Sequence, residues 1–407
     1  MYYSRSLTDI LLDTSRQFPV LLLTGPRQVG KTTFLKHICQ EDRTYITLDD
    51  PPTRSLANED PGLFMKRFEP PLLIDEIQYA PDLLPYIKMT VDSISKTGLF
   101  WLTGSQQFLM MKGISETLVG RVAIINLLGF SERERHRSNL DFDPFVPREK
   151  LINERLRHTK KPNLKRVYKN IWQGSFPALI AGTVRNRDLY YSSYLQTYLQ
   201  RDVRDLTQVG DELSFLKFIR ACAARTGQLL NLADIARDTD ISIPTAKKWL
   251  SILQASFQVY LLHPYSSNIT KRLIKTPKLY FLDTGLCSYL TEWGSPETLE
   301  AGAMSGSIFE TYVFIEILKS FWHRGLQPAM YYYRDKDKKE IDFIIEQNQT
   351  FYPIEVKKST TPKKEWAKSF AVLHKLKKKI GHGVVICMVE NMLPVDESCS
   401  AVPITIL

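Results

Sequence analysis

At 407 residues the chain has room for two or three domains, and its 43% hydrophobic and 24% charged composition is that of a globular protein. Those figures exclude a disordered tail, a collagen-like fibre and a coiled-coil rod. The formal net charge is +10, from 54 Lys+Arg against 44 Asp+Glu, and it is unevenly placed. Residues 1–130 hold 13 Lys+Arg against 14 Asp+Glu, whereas residues 311–380 hold 15 against 8. A basic distal region fits either a polyanionic partner, nucleic acid being the commonest, or a solvated lysine face. Apolar stretches such as Val122–Phe130 fall well short of the roughly 18 residues of a membrane span, and the N-terminus lacks a signal-peptide pattern. Cys39, Cys222, Cys287, Cys387 and Cys399 are odd in number and show no C-x-x-C spacing. They read as reduced thiols, neither a disulfide framework nor a zinc site. The expectation is a cytoplasmic protein with no membrane partner.

The first segment alternates strand-like and helix-like stretches. Runs at 19–25, 43–50, 70–76, 98–105 and 121–130 read as strands separated by helical patterns. This predicts an α/β core over 1–135 with a mostly parallel sheet covered on both faces. Between the first strand and helix, Gly25-Pro26-Arg27-Gln28-Val29-Gly30-Lys31-Thr32-Thr33 fits G-x-x-x-x-G-K-[ST]. Glycines let such a loop turn its N–H groups inward, and the helix N-terminus adds positive potential for phosphates. Lys31 would reach the β- and γ-phosphates of ATP, and the Thr32 hydroxyl would bind Mg²⁺.

Hydrolysis also needs an acid for the metal and a group that positions water. Asp75 and Glu76, at the end of the apolar run 72–74, supply both. Asp75 would hold Mg²⁺ through water, and Glu76 would orient or activate the attacking water. The strand at 98–105 should lie alongside, with Ser105 or Gln106 at its tip near the γ-phosphate; a plain strand-ending turn is the alternative. Arg121 follows a short helical pattern. It is either a group that reaches a neighbouring subunit's γ-phosphate or a surface salt-bridge partner.

GPRQVGKTT, LLIDEIQ, LTGSQ and LVGR, in that order and spacing, resemble the bacterial and archaeal AAA-type ATPases that carry a DUF4143 C-terminal region. The resemblance extends to YLQTYLQRDVRDL in the middle and to the IDF and IEVK stretches near the end. It implies a P-loop AAA-type ATPase core, a helical and winged-helix region over 136–300, and an α/β domain over 301–407 similar to PD-(D/E)xK nucleases. It also implies a homo-oligomer, with a ring as one form. It says little about biological role and does not fix which arginine acts as a finger.

In the middle, residues 232–237, 238–242 and 243–250 read helix, turn, helix, with Ala233, Ile235, Ala236, Trp249 and Leu250 packing the pair. Pro244 suits the first turn of the second helix. Thr245, Lys247 and Lys248 sit where recognition helices meet DNA. Two strand-like runs around a basic loop suggest a wing carrying Lys271, Arg272 and Lys275. A lid or subunit contact is the competing role.

From 303 the chain reads helix, strand, strand, helix. Two strands joined by a short turn would bring Asp342 and Glu355 together, with Lys357 facing the same side. Paired carboxylates can hold Mg²⁺ or Mn²⁺, which would activate water, while Lys357 would position the nucleophile or neutralise developing charge. Glu310 matches the acidic helix position of the nuclease pattern. Arg334 and the cluster Lys363, Lys364 and Lys368 could grip phosphates. The leading reading is ATP hydrolysis coupled to DNA binding, with cleavage by a second Mg²⁺ or Mn²⁺ centre as its extension. The alternative is an ATP-driven switch or assembly protein whose nuclease-like domain is inactive and only binds a partner.

Overall fold

The computed structural model describes residues 2–39, 43–104, 117–138, 142–198, 212–266, 275–335 and 337–407. Ser105, Gln106, Lys271 and Arg272 lie outside the described residues, as does the second half of the YLQTYLQRDVRDL stretch. The chain forms two compact units. The first comprises Met1–Phe130, Ala255–Phe257 and Trp322–Leu326, and the second comprises Ser131–Gln254, Gln258–Phe321 and Gln327–Leu407. Among the described residues no helix is long and apolar enough to cross a membrane. All five cysteines are free.

The first unit is built on five parallel strands. They are β1 (Val20–Thr24), β2 (Thr44–Thr47), β3 (Leu72–Asp75), β4 (Phe100–Gly104) and β5 (Val122–Asn126), in the order β2-β3-β4-β1-β5. Every residue of β1, β3 and β4 is buried, which is why their sequences run apolar without alternation. Val20, Leu22, Leu72, Ile74, Phe100 and Leu102 pack on one face against Leu83, Ile87 and Val91 of the helix Leu83–Ile94. Each such buried side chain contributes about 1.5–3 kcal/mol by leaving water. On the opposite face, the Trp101 indole donates to Ser15 Oγ of the helix Thr8–Gln17 at 2.7 Å.

The second unit takes in both the middle and the distal stretches. β6 (Gln228–Leu229), β7 (Val259–Leu262) and β8 (Lys278–Phe281) form an antiparallel sheet in the order β6-β8-β7. The helices Leu232–Asp238 and Ile243–Ala255 precede β7. Ile235, Ala236, Trp249 and Leu250 are buried, with Trp249 set edge-on to Phe215 and Phe218. Ala233, expected in that core, is exposed instead. Two residues before Ile235 on a helix, it turns to another face.

The remaining strands are β9 (Met330–Arg334), β10 (Glu340–Gln347), β11 (Thr350–Val356), β12 (Lys379–Ile380), β13 (Gly383–Cys387), β14 (Leu393–Asp396) and β15 (Cys399–Pro403). They make a mixed sheet in the order β14-β15-β13-β11-β10-β9, with β12 beside β11. β9, β10 and β11 are antiparallel, whereas β11, β13 and β15 run parallel. The helix Ser305–Trp322 precedes this sheet, and Lys364–Leu376 adopts a 3-10 helix.

Candidate nucleotide site and distal acidic centre

β1 ends at Thr24 and the loop 25–30 leads into the helix Lys31–Ile38, whose N-cap Gly30 has a left-handed φ of 87°. Gly25 has φ +151° and lies against the Leu127 carbonyl; a Cβ there would approach its oxygen to 2.0 Å. Only glycine suits that combination. Gln28 also has a positive φ, 60°. Pro26 and Val29 are buried, Arg27 is half-buried, and Gln28 and Thr33 are exposed. Lys31 is buried, its Nζ donating to the carbonyls of Gly25 at 3.0 Å and Pro26 at 2.8 Å. The cation therefore sits inside the loop that would cradle phosphates.

Parallel pairing carries Asp75, the last residue of β3, to the same end of the sheet. Thr32 Oγ1 lies 2.9 and 3.0 Å from its two carboxylate oxygens, and Tyr45 Oη donates to it at 3.1 Å. Thr103 of β4 donates to the same carboxylate and accepts the Glu76 N–H at 3.1 Å. Burial, reinforced by the Asp75 carboxylate, pushes the Tyr45 phenol up to about 12. Hard oxygen donors from Thr32 and Asp75 fit Mg²⁺ chemically. Glu76 is held at φ 60°, ψ 47°, a left-handed conformation that costs a non-glycine residue about 1–2 kcal/mol. Its carboxylate accepts from the Gln78 side-chain amide.

The sequence pattern points to Ser105 or Gln106 for the β4 contact and not to Thr103. The available signal was a buried threonine inside an otherwise apolar FWLTG strand. Tyr45 was overlooked as well, although it occupies the neighbouring β2.

Arg121 immediately precedes β5, and the register Val20↔Val122 to Thr24↔Asn126 places it at the end of the sheet away from the loop 25–30. Four residue steps along β1 span about 13 Å. Its guanidinium pairs with Asp92, Nε to Oδ1 at 2.6 Å and the second contact at 3.1 Å. Arg121 thus stands far from its own nucleotide loop and engages a carboxylate of its own unit.

The second unit brings Glu310, Asp342, Glu355 and Lys357 together. Lys357 Nζ lies 2.7 Å from Glu355 Oε2 and 3.7 Å from Asp342 Oδ2. Asp342 Oδ2 also accepts the Val356 N–H at 2.9 Å, beside an irregularity in the β9–β10 ladder. Glu310, on the helix Ser305–Trp322, accepts from Tyr280 Oη at 2.6 Å and pairs with Lys278 at 3.1 Å. Lys278, from β8, was not anticipated. Burial, helped by Asp342 and opposed by Lys278, pushes Glu310 up to about 7. Burial and Asp342, opposed by Lys357, likewise raise Glu355 to about 8. Among the described residues, no group of three or more His, Cys, Asp or Glu is arranged to hold a metal ion. Arg334 pairs with Glu340 at 3.5 Å, whereas Lys363, Lys364 and Lys368 are exposed. Lys247, Lys248 and Lys275 are also exposed, and Thr245 is half-buried.

Comparison with known proteins gives three matched stretches. Residues 17–136 match the model of an AAA domain, and residues 305–407 match a domain of unknown function, DUF4143. This chain carries an AAA domain and a DUF4143 region. Between them, residues 164–297 match DUF8612, another domain of unknown function. Uncharacterized proteins of Mycobacterium bovis and Mycobacterium tuberculosis are each 28% identical over 392 residues, 95% of this chain and 80% of theirs. Among solved structures, the Thermotoga maritima RuvB Holliday junction branch migration motor aligns at 14% identity and TM-score 0.30, covering 62% of this chain and 86% of that one. A Pyrococcus horikoshii signal transduction ATPase with a tetratricopeptide repeat sensor aligns at 10% identity and TM-score 0.26, covering 77% and 45%.

Proposed function

We propose that the chain binds and hydrolyses ATP at the loop 25–32 and couples that cycle to DNA held by its basic second unit. The observation that carries the ATPase half is the convergence of Thr32, Tyr45 and Thr103 on the Asp75 carboxylate, beside the loop containing Lys31. Lys31 exchanges its two carbonyl partners for the β- and γ-phosphates and offsets their charge. Thr32 and Asp75 would hold Mg²⁺, which would supply neutralising charge at the phosphates. Glu76 orients a water molecule and takes its proton as oxygen attacks the γ-phosphorus and the bond to ADP breaks. Thr103 ties Asp75 to the Glu76 backbone, so the metal-holding and water-holding acids keep one geometry.

The DNA half is supported by the distal excess of positive charge and by exposed Lys363, Lys364, Lys368, Lys375 and Lys377. Exposed Lys247 and Lys248 in the helix Ile243–Ala255 extend that support. The test is ATP turnover with and without duplex, single-stranded and branched DNA, paired with DNA binding across a salt series. Phosphate contacts predict binding that weakens steeply, with log K falling by about 0.9 per contact per unit of log salt on duplex. Salt-insensitive binding, or turnover indifferent to every DNA, would favour the alternative of a switch or assembly protein with a partner-binding distal domain.

Arg121 enters this reading as a group acting across a subunit boundary in a homo-oligomer, because its position at the far end of the sheet leaves no role at its own loop. Its pair with Asp92 must then open on assembly. Hydrolysis per subunit is expected to rise with protein concentration. Mixing Arg121→Ala with Lys31→Ala should restore part of the activity, because one kind of interface retains both working residues. No recovery in a verified mixed oligomer would leave Arg121 as the surface partner of Asp92.

A further inference from the structure

The distal centre that the sequence presents as a divalent-metal site already contains a cation. Lys278 is 3% exposed. Its ammonium lies 3.1 Å from Glu310 Oε1, 2.6 Å from Glu340 Oε1 and 4.0 Å from Asp342 Oδ1. The neighbouring Lys357 takes Glu355 Oε2 and the other oxygen of Asp342. Both Asp342 oxygens therefore face an ammonium. Of the remaining acceptors, Glu310 Oε1 also receives Tyr280 Oη, and Glu355 Oε1 receives Ser369 Oγ at 3.2 Å.

A Mg²⁺ or Mn²⁺ ion requires several of these same oxygens at close range in a near-octahedral shell. Bringing a second cation into a cluster already held by a buried ammonium adds direct like-charge repulsion in a poorly screened place. Withdrawing the carboxylates from Lys278 would leave a buried, unpaired charge, which is strongly unfavourable. The two cations exclude one another. Lys357 alone would not bring about this exclusion, because a lysine at that position belongs to the nuclease pattern. Lys278 comes from β8, outside the strands that supply the pattern, and adds a charge for which the pattern makes no provision.

We propose that Lys278 is the resident cation of this centre, standing where a divalent ion would be needed, so that the distal domain is a metal-independent binding module that does not cleave. The ammonium also fastens the three-stranded sheet of β8 to β10 and to the helix bearing Glu310, giving the acidic cluster a structural task. This rests on the distal centre being nuclease-like in arrangement. It does not depend on ATP turnover or on DNA being the partner.

The test is a Mn²⁺ titration of the full chain without nucleotide, followed by electron paramagnetic resonance of the free ion, in an Asp75→Ala background that disables the nucleotide-site metal. The background protein should show no Mn²⁺ binding that depends on Asp342. Adding Lys278→Met, or Lys278→Gln, which keeps a donor towards Glu340, should create a site that binds Mn²⁺ at least about tenfold more tightly. Further addition of Asp342→Asn should abolish the new site. Circular dichroism and thermal melting verify folding, and if the methionine variant does not fold, the glutamine variant and the background protein decide. Mn²⁺ binding by the background protein that Asp342→Asn removes would overturn the proposal. So would a folded Lys278→Gln protein that gains no site. A failure of DNA binding would leave these titrations unchanged, so the two readings stand or fall separately.

Discussion

Glu76→Gln is expected to keep ATP affinity within about twofold of the parent while lowering turnover by about 10²–10⁴-fold, the usual worth of a positioned base. Lys31→Ala should behave differently, losing nucleotide binding and turnover together. The contrast follows from where each side chain stands. Lys31 lies within the loop, and in the proposed mechanism it meets the phosphates in both ground and transition states. Glu76 stands just beyond β3 and in the proposed mechanism acts on water. Glutamine retains the shape and the contact with Gln78 but cannot accept a proton from water. Isothermal titration with ATP and a phosphate-release assay separate the two effects. Equal turnover by parent and Glu76→Gln would remove Glu76 from its assigned role.

The loop and the first acid pair were legible in sequence because their chemistry is local. A buried strand, two glycines, Lys31 and Thr32 occur within thirteen residues, and LLIDE announces its own position at a strand end. Thr103 was harder to recognise. A lone threonine in a buried strand fits packing as well as chemistry, and only the β3–β4 pairing puts its hydroxyl on Asp75. Lys278 lay beyond sequence reasoning altogether. KLYF reads as a strand, and nothing in it tells that its first side chain enters an acidic cluster formed by a helix and two strands far along the chain. The juxtaposition of Asp342, Glu355 and Lys357 was readable from spacing, but spacing cannot reveal a fourth charge arriving from another sheet. Residues 383–389 are a plain apolar run, but that run alone does not show that β13 joins β11 and β15 in parallel.

Gly25→Ala should disable the nucleotide loop more completely than its small size suggests. Leu127 N donates to Thr24 O at 2.8 Å, so the pairing of β1 with β5 continues to the root of the loop. An alanine Cβ placed there would meet Leu127 O at 2.0 Å, a distance no contact tolerates. Relief requires either moving the backbone after β5 or turning residue 25 away from φ +151°, and both displace the N–H groups proposed to face phosphate. Backbone strain and overpacking together should cost about 2–4 kcal/mol. ATP affinity should fall by about 100-fold or more, since a loop shifted by about 1 Å loses its aligned donors. Gly120→Ala supplies an uncrowded case, at a positive φ of 75° in the left-handed region and with nothing within 4 Å of the added Cβ. It should cost only about 1 kcal/mol through backbone preference and leave ATP binding intact. Thermal melting and nucleotide titration of both variants separate the crowded position from an open one at positive φ. Parent-like ATP affinity in Gly25→Ala would mean that the loop is not held against β5 as described.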